Sequence, residues 1–175
     1  MKKNLFPIAA LLIIVACAFT IVESQEWKIQ DNYSVKFTSK DPSGVFTGLK
    51  GSINFDEKDL ATAKFDVTVD VATINTGNGM KNTHAKGAMW WDAEKYPTIH
   101  FTSTSISKTA TGYDAKGTLD MHGVQKEIVI PFTFTDNVFT GSFEVNRLDY
   151  NINVAEPEHG AATFKIDLSV PVTKP

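Results

Sequence analysis

The chain has 175 residues, 17 Lys and Arg against 20 Asp and Glu, a formal charge of −3 and one cysteine, Cys17. A mildly acidic chain lacks the basic footprint of a nucleic-acid binder. Because the cysteine falls in the apolar leader, the rest of the chain has no disulfide, no cysteine-based metal cluster and no thiol chemistry to draw on.

Met1-Lys2-Lys3 opens onto an uncharged run from Leu5 to Val22 and then the polar Glu23-Ser24-Gln25-Glu26. A basic start, an apolar middle and a polar exit make a secretory signal over 1–24, with Val22 and Ser24 as the small residues ahead of cleavage before Gln25. The expected location is periplasmic or secreted. The segment Ile14-Val15-Ala16-Cys17 is also similar to a lipoprotein box, which would put a lipid on Cys17 and tether the protein to a membrane. Against that, the apolar run continues past Cys17. An uncleaved run of this length would nearly span a bilayer, so an anchor is the third alternative.

Residues 25–175 have the size of one domain with its own core. Their dominant signal is alternation with period two, the mark of strands with one apolar and one solvated face. Trp27, Ile29, Tyr33, Val35 and Phe37 share a side, as do Phe65, Val67, Val69 and Val71. Ile128, Ile130, Phe132 and Phe134 repeat the pattern, and Phe164 to Val172 is its cleanest case. Turn residues at Asp41-Pro42-Ser43-Gly44, Thr111-Gly112, His122-Gly123 and Asp136-Asn137 separate the runs. The expected strands are 26–38, 44–55, 63–72, 98–107, 112–121, 124–135, 138–146 and 163–173. The fold class is therefore all-β, an eight-stranded antiparallel barrel or sandwich, with Gly48 and Gly51 placed for bends or bulges. Residues 75–92 alone break the alternation and predict one inserted short helix, roughly 79–90. Asn151 to Ala162 is a long loop before the last strand.

Catalysis has little to stand on. His84, His100, His122 and His159 fall on a helix, a strand, a turn and a loop without metal-ligand spacing. There is no nucleophile elbow, no phosphate-cradling glycine loop and no paired carboxylates that spacing brings together. No cofactor is expected and the chain is not read as an enzyme; a lipid-directed enzyme using His84 or His122 is the weakest alternative.

The apolar inventory stands out instead, with 12 phenylalanines among the aromatics. A small barrel either fills its interior with such side chains or keeps an elongated apolar cavity, and both outcomes are open here. In the hollow case the lining falls to the inward strand positions Phe37, Phe65, Val67 and Phe101, then Leu119, Met121, Phe132, Phe143 and Ile166. Met89, Trp90 and Trp91 of the inserted segment would line or cover the mouth. The solid case is an envelope stress-response or interaction protein acting through its surface. Sheet edges would also allow a homodimer.

Several ordered motifs then carry a resemblance. "WKIQDNYSVKF" and "SGVFTGLKGSINFD" open the domain, and "NTHAKGAMWWDAEKYPTIHF" follows with His84, Asp92, Tyr96, Pro97, Ile99 and Phe101 in place. "GTLDMHGVQKEIVIPF" and "NRLDYNI" come next, through His122, Gly123, Lys126, Arg147 and Asp149. Over about 27–173 the chain resembles the YceI-like family of exported, lipocalin-like polyisoprenoid-binding bacterial proteins. Tyr33 stands where the family has His, Trp90 and Trp91 replace paired Phe, Ala85 and Gly87 replace Leu and Ser, and Asn151 replaces Gly. The resemblance implies an extended antiparallel barrel whose tunnel, between sheet and helix, holds a long isoprenoid or other lipid.

Overall fold

A computed structural model describes residues 25–175, so the leader with Cys17 lies outside the described residues. Eleven strands form within them: β1 Glu26–Ile29, β2 Ser34–Thr38, β3 Gly44–Phe46, β4 Leu49–Asn54, β5 Lys64–Asp70, β6 Ile74–Asn75, β7 Thr98–Lys108, β8 Tyr113–Met121, β9 Val124–Thr135, β10 Val138–Asn146 and β11 Thr163–Thr173. The one α-helix among the described residues, α1, is Gly79–Lys86. All pairings are antiparallel, and the pairing of β1 with β11 closes the sheet into an eight-stranded barrel. The period-two pattern is physically expressed in β8, where Tyr113, Ala115, Leu119 and Met121 point inward and are buried. Two hairpins, at His122-Gly123 and Asp136-Asn137, have positive φ at both turn residues. That is the type I′ geometry that matches strand twist.

Two of the eight expected strands are broken rather than continuous: the first splits into β1 and β2 and the second into β3 and β4, while the third, β5, ends at Asp70, where a 3-10 turn Val71–Thr73 leads into the further short strand β6. The breaks sit side by side and are stitched together. The Tyr33 hydroxyl donates to the Thr47 carbonyl and accepts from the Leu49 N–H at 2.9 Å. Thr47 N–H donates to Thr73 Oγ1 at 3.2 Å, and Asp70 N–H to the Gly48 carbonyl at 3.1 Å. Asp70 also caps the 3-10 turn by accepting from Ala72 N–H. A β-carbon on Gly48 would lie 2.6 Å from Asp70 Cβ, so only glycine lets the strands approach there. The wall therefore bends, and β2, β3 and β6 form an upper flap beside α1.

The barrel has another irregularity opposite this bend. β9 and β10 pair only from Val138↔Thr135 to Gly141↔Phe132, after which β10 continues with β11 alone. Pro131, which has no N–H to give, stands where that ladder ends. The seam is filled from the side by the segment after β10, whose Tyr150 and Ile152 are almost fully buried.

One end of the barrel is packed solid. Phe55 is 1% exposed and meets Tyr113, Phe132, Phe134 and Phe139 edge-to-face at centroid distances of 5.1–5.6 Å. Trp27 completes this plug, donating its indole N–H to the Phe55 carbonyl at 2.8 Å and lying edge-on to Phe134. Pairs of this kind add about 0.5–1.5 kcal/mol each beyond their buried area.

Candidate ligand cavity

Above the plug the interior is hollow. A cavity of about 510 Å³ runs from the Phe65, Phe132 and Phe139 rings to the bent flap and α1, with nearly all of its wall apolar. Eleven of the twelve residues expected to line it do so. Phe37, Phe65, Val67, Phe101, Leu119, Met121, Phe132, Phe143 and Ile166 line it from the strands around the barrel, and Trp90 and Trp91 stand just past the end of α1.

Met89 corrects the remaining expectation. It is 59% exposed and lies off the cavity wall, because the helix is shorter than the predicted 79–90. Asn78 starts α1 by accepting from Met80 and Lys81 N–H, and Gly87 ends it with its N–H on the His84 carbonyl. Tight turns follow, Trp91 N–H to the Ala85 carbonyl and Asp92 N–H to the Gly87 carbonyl, both at 3.0 Å. The chain no longer follows helical spacing there. Trp91 turns inward to meet Phe46 edge-to-face at 5.9 Å, while Met89 turns to solvent.

The mouth has a polar rim that strand periodicity did not foresee. Asp41, Lys81, His84, Arg147 and His159 border the opening. Lys81 bridges to Asp41 at 2.6 Å, tying α1 to the loop after β2, though both side chains are largely exposed and the pair is worth little by itself. Arg147 is different, being 2% exposed. Its Nε donates to the Ala161 carbonyl, Nη1 to those of Ile152 and Asn153, and Nη2 to those of Pro157 and His159, at 2.7–3.2 Å. All five donors of the guanidinium are used, and the 151–162 loop is wrapped around it. Burial pushes the Arg147 pKa down from the ordinary guanidinium range, and the carbonyl dipoles offset the loss of hydration. Its Cζ lies 5.1 Å from the centroid of the Trp90 ring, and Gly160 would place a β-carbon 3.1 Å from the same indole.

The motif residues below the rim knit this end together. Tyr96 packs on the His122 ring at a centroid distance of 4.2 Å, and a β-carbon on Gly123 would fall 2.8 Å from the Tyr96 ring. His122 Nδ1 lies 3.2 Å from the Tyr150 carbonyl, and Lys126 reaches Asp149 at 3.4 Å. Thus the "YP", "HG" and "RLDY" stretches, far apart in sequence, meet at one corner. His122 serves this corner and is not on the cavity wall, so the structure does not bring it to His84 across the mouth. Among the described residues no group of three or more His, Cys, Asp or Glu is placed to hold a metal ion.

The YceI-like domain model matches residues 26–173, which is almost the whole described chain. The chain belongs to the YceI-like family. It is 27% identical to protein YceI of Salmonella newport over 98% of this chain and 97% of that protein. Protein YceI of Escherichia coli O157:H7 is 28% identical, over 74% of this chain and 71% of the relative. Among solved structures, BcnA of Burkholderia cenocepacia superposes with a TM-score of 0.76 at 25% identity, covering 84% of this chain and all of that one. A polyisoprenoid binding domain from Saccharophagus degradans shares the fold at a TM-score of 0.61 and 15% identity, over 87% of this chain and all of that one. In this YceI-like chain the "YP", "HG" and "RLDY" stretches are the ones that meet at the corner formed by Tyr96, His122, Lys126, Asp149 and Tyr150.

Proposed function

We propose that the protein binds the apolar chain of a long amphiphile, a polyisoprenoid, an isoprenoid quinone or a fatty-acyl lipid, without catalysing a reaction on it. The observation that carries this reading is the apolar cavity of about 510 Å³, walled by Phe, Trp, Leu, Val and Ile side chains and rimmed by polar groups at one end only. Such a cavity takes a tail inside and leaves a polar head at the rim. Ten buried carbons contribute about 8 kcal/mol gross at about 0.8 kcal/mol each. That is near what micromolar affinity requires before association costs. The Saccharophagus degradans domain with this fold is a polyisoprenoid binding domain, which supports the same ligand class. A solid-cored interaction protein would leave no such void.

The leader supports export to the cell envelope, with cleavage before Gln25 favoured over lipidation at Cys17. The mass of the processed N-terminus separates the two, since a lipidated form would begin at Cys17. The decisive experiment for binding is organic extraction of protein purified from its own envelope, followed by mass spectrometry. A stoichiometric long-chain lipid is the expected result. Empty extracts, together with no quenching of Trp90 and Trp91 fluorescence by prenyl alcohols, would overturn the reading.

A further inference from the structure

We infer that the rim built by α1 and the 151–162 loop is a membrane-docking surface, at which Met80, Met89 and Val154 enter a lipid bilayer and the cavity exchanges its ligand with that bilayer directly. The inference rests on the lipid-binding reading above and adds to it where the ligand is collected.

Exposed apolar bulk is concentrated at the mouth. Among the described residues the large hydrophobic side chains left exposed are Met80 at 75%, Met89 at 59%, Val154 at 50% and Val129 at 48%. Val129 alone lies elsewhere, on the outer wall of β9 beside Lys116 of β8. The other three surround the opening. Met89 precedes Trp90, and Val154 follows Asn153, whose carbonyl is held by the same Arg147 that lies 5.1 Å from the Trp90 ring. Met80 precedes Lys81, which bridges to Asp41, and the Asp41 carbonyl lies 3.9 Å from where a β-carbon on Gly160 would fall. An apolar patch around an opening marks a surface that meets a partner.

The helix is seated as a rim and not as core. None of its residues is buried. Lys81, His84 and Ala85 turn one face to the cavity, and helical spacing leaves Met80, Thr83 and Lys86 on the remaining surface. A helix with methionine and lysine on its outer surface suits the boundary between head groups and acyl chains, where it lies in the membrane plane.

Charge and ligand chemistry point to the same occupant. Residues 78–91 hold Lys81 and Lys86 and no Asp or Glu, in a chain of formal charge −3. Glu156 and Glu158 of the facing loop oppose an anionic surface, and Glu156 reaches His159 at 3.4 Å. Apolar insertion therefore supplies most of the attraction, and anionic lipid adds to it on the α1 side. The aromatic plug closes the far end of the barrel, so a tail passes this rim. Its carbons belong to a bilayer before they reach the cavity, because exposing apolar surface to water is unfavourable. A rim in contact with the bilayer removes that exposure.

The test is co-flotation with vesicles of phosphatidylcholine, alone and with phosphatidylglycerol added. It uses the processed protein, residues 25–175, which lacks Cys17 and closes its barrel without the leader. The protein should float with both vesicles, and more with the anionic ones. The triple variant Met80→Ser, Met89→Ser, Val154→Ser should lower the partition constant about tenfold or more, since three apolar side chains are withdrawn from lipid. Val129→Ser should leave it unchanged. Uptake of a fluorescent prenyl alcohol from vesicles should quicken with vesicle concentration and slow in the triple variant, while affinity for the same alcohol added from ethanol stays equal. No flotation, equal flotation of the triple variant, or uptake independent of vesicle concentration overturns the docking surface, while binding of the alcohol added from ethanol keeps the lipid-binding reading. Self-association that the triple variant abolishes, without flotation, assigns the patch to a second copy and overturns docking likewise. Failure to bind the alcohol by either route overturns the lipid-binding reading itself, and direct exchange with it.

Discussion

The guanidinium of Arg147 lies 5.1 Å from the ring of Trp90, and this contact joins the long loop to the cavity mouth. On its other sides the guanidinium is spent on carbonyls of the loop, so Arg147 holds shape and has no donor left for a ligand. The other polar side chains at the rim are Asp41, Lys81, His84 and His159.

Arg147→Met should therefore destabilise the protein by about 3 kcal/mol or more. Each buried carbonyl left without a donor loses about 1–3 kcal/mol, moderated where the loop opens to water. Arg147→Lys should recover only part of this, because an ammonium has three donors and no planar fork. Urea unfolding gives the stability change. Faster proteolysis within 151–162 would localise it, and an unchanged cleavage rate would refute the role of Arg147 as the loop's anchor.

A second expectation separates neighbours. Trp91 stands on the cavity wall against Phe46, whereas Met89 points to solvent. Met89→Ala should change stability by no more than about 0.5 kcal/mol, as exposed substitutions usually do. It should leave binding of a 15-carbon prenyl alcohol untouched. Trp91→Ala should weaken that binding by about tenfold or more, since part of the wall is lost. Equal effects at the two positions would mean that the mouth is not where the ligand passes.

How much of this was legible follows from which forces act locally. The alternation from Phe164 to Val172 and from Ile128 to Phe134 is a local signal, and it placed both strands and, with Ile166 and Phe132, their share of the expected lining. The breaks at Asp31-Asn32, Thr47-Gly48 and Val71–Thr73 are set by contacts across strands, Tyr33 to Leu49 and Asp70 to Gly48, which period two cannot express. Met89 was misplaced because helical spacing was carried past Gly87, where the hydrogen bonds change pattern. Arg147 was visible only as a motif residue. Its partners lie 5 to 14 positions away in a loop without periodicity, and a buried cation without a carboxylate partner has no sequence pattern. The seam between β9 and β10 had one local sign, Pro131, whose effect depends on which neighbour faces its missing N–H.

Acid should find a weak point at the fastened corner. Burial pushes the His122 pKa below its ordinary value near 6.5, with its contact to the Tyr150 carbonyl opposing the shift. The folded state thus binds fewer protons than the unfolded one in that range. Stability is full above about pH 6.5 and falls as the solution is acidified below it. His122→Asn, a residue that tolerates the left-handed backbone at φ 54°, should lose less stability on acidification over that range. Unfolding curves at pH 7 and pH 5 for both proteins provide the comparison; equal losses would remove His122 as the cause.

Alkali should act at the opposite end. The Tyr113 hydroxyl donates to Glu57 Oε1 at 2.6 Å, and this bond, reinforced by burial and by the carboxylate charge, pushes its pKa up from 10.0 to about 12. Between those values the unfolded chain releases the phenolic proton while the folded barrel keeps it. The folded state binds more protons there, so stability is complete below about pH 10 and declines as pH rises towards 12. Two units correspond to about 3 kcal/mol at most. Tyr113→Phe keeps the ring stacked on Phe132 in the plug but has no proton to lose. Its stability should therefore fall less steeply than that of the unmodified protein between pH 10 and 12, although it starts lower for want of the Glu57 bond. Parallel pH profiles would show that the plug end does not sense this titration.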